Sequence, residues 1–299
     1  MKYGLRGTRS LHLMLLPSLI LLIIFAYLPM AGIVIGFQRF IPAKGLFGPQ
    51  EWVGLYYFKY AFQLPEFRDA LFNTLYISFM KIVAGIVTPV VFAILLNELR
   101  LALLKRSIQT IIYLPHFLSW VILAGVFVDI LSPSYGIVNR LLQSFGIEPI
   151  FFLGSNAWFP YVLVATDTWK EFGFGTIVYL AAITSIDPNL YEAAIVDGAN
   201  KWRQIWHITL PGMLPIIMLL TLLSIGSILN ANFDQIFNLY SPQVYKSGDV
   251  LDTLVYRIGL LDANYSLSTA IGLFKSVVSC ILISIFYYIA YRFLNYRIF

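Results

Sequence analysis

Three ionisable residues, Asp167, Lys170 and Glu171, stand within five positions of one another in a stretch that is otherwise apolar from Trp158 to Thr184. Charge in such a setting is costly, so these groups face a bundle interior or a wet cavity, and each marks a site by default. On a helix Lys170 and Glu171 fall at i+3 and i+4 from Asp167, on one broad face. The ammonium can then neutralise one carboxylate while the other needs a second cation. Lys81 and Lys275, each within an apolar run of its own, are the cations available. Another polar group, Ser227, Asn230, Asn232, Asp234 and Gln235, closes a further apolar run, with Ser227, Asn230 and Asp234 at i, i+3 and i+7. Lipid contact would penalise that stripe. Amides and carboxylates beside aromatic planes such as Trp120 and Trp169 suit a polyhydroxylated ligand, because hydroxyls need hydrogen-bond partners and the C–H face of a sugar ring packs on an aromatic plane. The ligand-pathway candidates are therefore Lys81, Trp120, Trp169, Lys170, Glu171, Asn230, Asn232, Asp234 and Lys275. For each residue singly the alternative is a helix-to-helix hydrogen bond or ion pair that only pins the bundle. His116, just after Pro115, reads as a satisfied interior histidine rather than a catalyst.

The elements that carry these groups follow from composition. Hydrophobic residues make up 59% of the 299-residue chain and charged residues 12%, with a mean hydropathy of +0.79. Soluble domains carry roughly twice that charge, so the chain belongs in a bilayer. Six apolar runs are each long enough for a core about 30 Å thick: about 11–37, 70–96, 108–131, 158–184, 210–236 and 266–292. The first exceeds the roughly 7–15 residues of a signal-peptide core and shows no small-residue cleavage site, so it reads as a retained span. Residues 38–69 are broken by Pro and Gly and read as a loop. Lys and Arg number 10 in the 55 residues of one side (1–10, 97–107, 185–209, 291–299) and 7 in the 83 residues of the other. The denser side is cytoplasmic by the positive-inside rule, which places both termini and the 185–209 connection there. No short-period repeat and no appended soluble domain is visible, so one all-α, polytopic membrane domain is expected over 1–299.

Several function classes fall away. No Gly-rich loop ends in Gly-Lys-Ser/Thr, so nucleotide hydrolysis is not expected in this chain. Three histidines and one cysteine form no cluster with metal-ligand spacing, and Cys280 lies within an apolar run with no partner for a disulfide. The net charge of +5 is scattered rather than gathered in a stripe, which argues against nucleic acid. A secondary transporter using the buried charges as ion relays and a membrane enzyme acting on lipid-linked substrates remain as rivals. The first lacks a visible inverted repeat and the second a carboxylate-rich surface motif.

The polar island Tyr191–Pro211, YEAAIVDGANKWRQIWHITLP, interrupts the apolar runs. Asp187-Pro188 is a cap followed by a first-turn proline. Gly198 stands where the chain must leave the right-handed helical region, and Asn200 can start a second helix with Trp202, Ile205 and Trp206 on one face. Two short helices bent at Gly198 are expected, either as a docking surface or as an amphipathic segment in the headgroup layer.

The order Glu192-Ala193-Ala194, then Asp197-Gly198-Ala199, then an aromatic-rich stretch ending Ile208-Thr209-Leu210-Pro211 resembles the EAA loop of permease subunits in binding-protein-dependent ABC importers. The likeness covers essentially the whole chain, including LLPSLILLIIFAYLPMAGIVIGF, WKEFGFGTIVYLAAITSIDPNLYEAA and GDVLDTLVYRIGLLDANYSLSTAIGLFKSVVS, and is strongest to the branch of type I importers that takes up complex oligosaccharides. The resemblance implies that Tyr191, Glu192, Ala193, Ala194, Asp197, Gly198, Ala199 and Trp202 form the coupling region that docks in a groove of an ATPase subunit. It implies a bacterial cell-membrane heterodimer with a second homologous permease, two ATPase subunits that bind ATP and Mg, and an extracytoplasmic solute-binding protein that delivers the sugar. Transport would proceed by alternating access, with no cofactor in this chain. Lys81, Lys170 and Lys275 suit an acidic oligosaccharide; if Asp129, Asp167, Glu171 and Asp234 consume them, a neutral one fits equally well.

Overall fold

A computed structural model describes residues 5–99 and 101–294. Lys2, Arg100 and Arg297, which entered the charge comparison, lie outside the described residues. The chain gathers into two compact units, Met1–Leu64 with Val255–Phe274 and Pro65–Leu254 with Lys275–Phe299.

In the first unit α1 (Leu5–Leu22) passes through a π-helical turn at Ile23–Tyr27 into a tighter 3-10 stretch, Leu28–Phe37, with Pro29 in its first turn. Strands β1 (Gln38–Arg39) and β2 (Glu51–Trp52) then pair antiparallel, and α2 (Tyr56–Gln63) follows. Phe37 stacks on Trp52 at 5.7 Å. Ser266 Oγ donates to Gln38 O (2.7 Å) and accepts from Phe40 N (3.0 Å), so the hairpin is tied to the start of the last long helix.

The second unit holds α3 (Pro65–Glu98), α4 (Ala102–Tyr113), α5 (Trp120–Ile130), α6 (Ile137–Ser144), α7 (Phe159–Thr184), α8 (Pro188–Val196), α9 (Lys201–Gln204), α10 (Leu210–Gly226), α11 (Phe233–Leu239) and α12 (Tyr245–Gly248). Helices α13 (Leu251–Tyr256) and α14 (Tyr265–Leu294) follow. Helix α3 packs along α7 more extensively than any other pair. Gly173 lets α7 touch the α4 backbone, since a Cβ there would stand 1.8 Å from Ile112 O. Asn73 Nδ2 donates to Lys246 O and Asp249 O, both at 3.0 Å, and Thr74 Oγ1 accepts from Leu251 N (2.9 Å), which anchors the loop after α11 to α3. One apolar core joins Ile77, Leu123, Phe159, Leu163, Ile236 and Val250; a second joins Val90, Tyr179, Ile183 and Met213.

Among the described residues, four helical runs are long and apolar enough to cross a membrane by length and composition: His12–Phe37, Pro65–Glu98, Lys201–Gly226 and Tyr265–Tyr288. Their apolar windows are at most 22% buried, so these surfaces face outward, as lipid contact requires and a soluble core would not. Helices α4 and α5 would make a fifth. Helix α7, 26 residues and about 39 Å long, has the length, but Asp167, Lys170 and Glu171 occupy its middle.

Two expected spans are redrawn. The run at 108–131 is no single helix: it bends by 106° between Phe117 and Trp120. Pro115 lacks the N–H that would continue α4, and Ser119 starts a new helix by accepting from Ile122 N (3.4 Å). The run at 210–236 stops at Gly226. Asn232 takes a left-handed conformation (φ 68°) and caps α11 by accepting from Gln235 N (3.4 Å). Ser227, Asn230 and Asp234 therefore do not form a stripe on one helix. Their helical spacing is interrupted by the caps and turns these polar side chains favour.

Candidate functional site

The polar residues at the middle of α7 meet α3 and the connection between α10 and α11. Lys81 on α3 donates to Ala231 O (2.9 Å) and to Gln235 Oε1, and its ammonium lies 3.4 Å from Asp167 Oδ1. Asn232 Nδ2 donates to the same Asp167 oxygen at 3.0 Å. Gln235, fully buried, donates to Leu163 O (2.7 Å) and Thr166 Oγ1 (2.8 Å). The broken helix is thus held to α7 by an amide and a carboxylate, and to α3 by an ammonium.

A second cluster forms one turn further along α7. Lys170 donates to His116 O (2.8 Å) and Glu171 Oε1 (2.9 Å) and lies 5.8 Å from the centre of the Trp120 ring. His116 Nδ1 stands 2.7 Å from Glu171 Oε2, and its ring stacks on Phe174 at 4.4 Å. The carbonyl that accepts from Lys170 belongs to the turn at Pro115, so the bend between α4 and α5 is pinned by the cation of α7. Both lysine side chains are only 9% exposed, against 18% for Asp167 and 41% for Glu171. Of the paired groups, the carboxylates are the more exposed to the open space.

That space is a cavity of about 250 Å³ lined by Lys81, Asp167, Glu171, Ser224, Asn230 and Asn232, together with Ser78 and Gly85. Ser78 Oγ is buried and makes no hydrogen bond among the described residues. Asn230 is exposed within the lining. The wall thus offers hydroxyl, amide and carboxylate groups, the set that hydrogen-bonds a polyhydroxylated ligand.

Of the sequence candidates, Lys81, Glu171, Asn230 and Asn232 come together on this wall. Lys170 lies behind it as a brace. Trp120 is buried beneath Lys170. Trp169 packs edge-on to Phe127 at 5.6 Å and lines a separate, apolar cavity of about 390 Å³ with Trp158 and Tyr161. Asp234 is exposed and absent from the lining. Lys275 bonds Asp252 and lines neither cavity. Sequence reasoning missed Ser78, Ser224 and Asp252, because a single hydroxyl on a long helix or a carboxylate on a helix of six residues has no periodicity to betray it.

The island after α7 forms the two expected helices. Asp187 Oδ1 caps α8 by accepting from Asn189 N (2.9 Å), and Asn200 Oδ1 caps α9 by accepting from Arg203 N (3.0 Å). Between them Gly198, at φ +75°, closes α8: its N–H bonds Ile195 O (3.0 Å) while Ala199 N bonds Ala194 O (2.8 Å). Tyr191 Oη to Thr209 Oγ1 (3.0 Å) and Gln204 Nε2 to Ala199 O (3.0 Å) hold the pair together, and Lys201 to Glu98 (3.0 Å) ties it to α3. Glu192, Ala193 and Asp197 are exposed and Ala194 and Ala199 half-buried. Ile195 is 62%, Val196 87%, Trp202 71% and Trp206 63% exposed. A braced helix pair that holds four large apolar side chains outward is built to be covered.

Multiple membrane-crossing helices, a polar cavity between them and a rigid exposed helix pair beyond α7 define a multi-pass membrane permease. The chain belongs to the family described as binding-protein-dependent transport system inner membrane component, whose model matches residues 82–299. It is 43% identical over 290 residues to Protein LplB of Bacillus subtilis, covering 97% of this chain and 91% of that one. It is also 43% identical over 275 residues to the polygalacturonan/rhamnogalacturonan transport system permease protein YteP of the same organism, covering 92% and 85%. Among solved structures it superposes on a chain of a bacterial ABC transporter involved in the import of the acidic polysaccharide alginate, with a TM-score of 0.88, 40% identity and coverage of 96% and 97%. A second structure of a bacterial alginate ABC transporter, in complex with an alginate pentasaccharide-bound periplasmic protein, matches with a TM-score of 0.87 and 39% identity.

Proposed function

We propose that this chain is one permease subunit of an ATP-driven importer that takes up oligosaccharides derived from an acidic polysaccharide and delivered by a solute-binding protein. The observation that carries the reading is the exposed α8–α9 pair hinged at Gly198. It is a preformed apolar knuckle, capped at both helix starts and braced at Tyr191, Gln204 and Lys201, with Ile195, Val196, Trp202 and Trp206 left exposed by the described residues. A separate ATPase subunit would cover it, binding ATP and Mg on its own residues. Helix α7 would be the sixth span, its charges paired internally, with both termini and the knuckle in the cytoplasm.

Closure of two ATPases would move the knuckle, and α7 and α10, which run directly into it, would carry the motion to the cavity. Alternating access needs rigid elements with two arrangements, and long helices joined to a braced bend supply them. At about 250 Å³ the cavity falls below the roughly 300–1,000 Å³ of ordinary small-molecule sites, so this chain would supply one wall and a second homologous permease the other. The acidic substrate class is supported by likeness to proteins that handle alginate and polygalacturonan. On this wall the lysines are already engaged, so substrate carboxylates would be met by cations of the second permease.

Co-purification tests the reading. The ATPase subunit should accompany the wild-type chain out of the membrane and be lost from Trp202→Asp while the variant chain remains membrane-inserted. Full retention of the ATPase by that variant would remove the knuckle from the mechanism. A thermal-shift screen of the cognate binding protein against acidic and neutral oligosaccharides should show stabilisation by the acidic set.

A further inference from the structure

Outside the cavity and the knuckle lies α6, Ile137–Ser144, in the connection between α5 and α7. Its place is fixed. Asn139 is buried, its Nδ2 lies 3.0–3.2 Å from Leu131 O, Ser132 O and Ile150 O, and its Oδ1 accepts from Ile150 N (2.8 Å). Ahead of the helix, a Cβ on Gly136 would stand 2.4 Å from Ile130 O, so the chain turns tightly onto the end of α5. Beyond it Gly146 takes φ +77° and Ile147 N bonds Leu142 O (3.0 Å), which ends the helix sharply.

The outward half of this helix is itself divided. Ile137, Leu141 and Phe145 follow one another at four-residue spacing along one flank and are 61%, 57% and 80% exposed. Arg140, Gln143 and Ser144 occupy the other flank, also exposed. A helix bathed in water gains nothing from sorting its outer side chains, whereas one lying along a boundary between hydrocarbon and water gains from every apolar group on the correct flank.

Position points the same way. Asn139 bonds the two residues that follow the last residue of α5, and Leu131 and Leu153 pack in the cluster that contains Phe159 at the start of α7. Ile130 and Leu131 at the end of α5 also line one cavity with Trp158 and Tyr161 at the start of α7, so the end of α5 lies beside the start of α7, and α6 is fastened there. A helix is about 10 Å across and the interfacial layer roughly 5–7 Å deep on each side, so the outer flanks of α6 stay near headgroup depth. Trp158 and Tyr161, exposed at the start of α7, are the aromatic types that occupy that depth. The Arg140 guanidinium makes no ion pair among the described residues and can meet a lipid phosphate.

We propose that α6 is an interfacial helix that lies in the leaflet opposite the α8–α9 knuckle, with Ile137, Leu141 and Phe145 among the upper acyl chains and Arg140 at the phosphates. The test uses the assembled transporter in phospholipid nanodiscs. In a Cys280→Ser background, single cysteines at Leu141→Cys, Phe145→Cys and Gln143→Cys are labelled with an environment-sensitive fluorophore. Labels at 141 and 145 should be quenched by nitroxide on the lipid acyl chain and be about fivefold less accessible to aqueous iodide than the label at 143. Equal iodide access at all three positions overturns the proposal. So does shielding of 141 and 145 that arises only when the solute-binding protein is added, which would make α6 a protein-docking face. Retention of uptake by each labelled variant confirms that the quenching reports the folded transporter.

Discussion

The Lys81 ammonium on α3 lies 3.4 Å from Asp167 Oδ1 on α7, and both side chains are largely buried. Two helices that already pack along much of their length are thereby joined by a polar contact that also reaches, through Asn232 and Gln235, the broken end of α10. Removing one partner leaves the other charge largely buried and without its counter-ion. Lys81→Met should therefore destabilise the complex by about 3–5 kcal/mol, read as a fall in thermal midpoint, whereas Lys81→Met with Asp167→Asn should recover most of the loss. A double variant no more stable than the single would show that the pair is not the source of the cost.

Close backbone contact between α7 and α4 yields a prediction about two glycines. Gly173→Ala forces a Cβ to 1.8 Å from the Ile112 carbonyl, a backbone atom that cannot swing aside, and should cost about 1–3 kcal/mol or more. Gly85 meets nothing within 4 Å, so Gly85→Ala should be neutral or stabilise α3 by up to about 1 kcal/mol. Thermal unfolding of the two variants, measured side by side, separates the cases.

The cavity makes a different demand. Asn230 is exposed on its wall, and Lys275 is engaged by Asp252 outside it. Asn230→Ala should lower the apparent affinity for transported sugar about fivefold, the worth of roughly one hydrogen bond, with no change in thermal midpoint. Lys275→Gln should do the opposite, lowering the midpoint and leaving substrate preference unchanged. Initial uptake rates over a range of loaded binding protein, with unfolding of the same samples, check both.

How much of this was legible beforehand depends on what kind of signal each feature leaves. Helix α7 and the last helix came within a residue or two of their expected bounds, because long apolar runs admit one conformation in a bilayer. The knuckle was readable to single residues: Asp187, Gly198 and Asn200 are local signals whose geometry depends on their immediate neighbours. The breaks near Pro115 and after Gly226 were not, since a hydropathy window is blind to a side chain that leaves the helix to cap the next one, as Ser119 and Asn232 do. Charge pairing was half visible. The need of one of the two carboxylates, Asp167 or Glu171, for a second cation followed from spacing along α7, and Lys81 was one of two candidates. The choice between Lys81 and Lys275 rests on which helix packs against α7, a tertiary fact, and Asp252, the actual partner of Lys275, sits in a segment with no pattern to mark it.

Coupling through Gly198 is the centre of the account, and ATP-driven uptake into proteoliposomes tests it most directly. Open space surrounds this glycine, so a substitution there acts through backbone strain at φ +75° and not through a clash. Asparagine tolerates that conformation and valine does not. Gly198→Val should abolish ATP-dependent sugar uptake, Gly198→Asn should retain most of it, and sugar binding to the soluble receptor should be unchanged in both cases. Uptake that proceeds without ATP, or that survives Gly198→Val at the wild-type rate, would contradict the account.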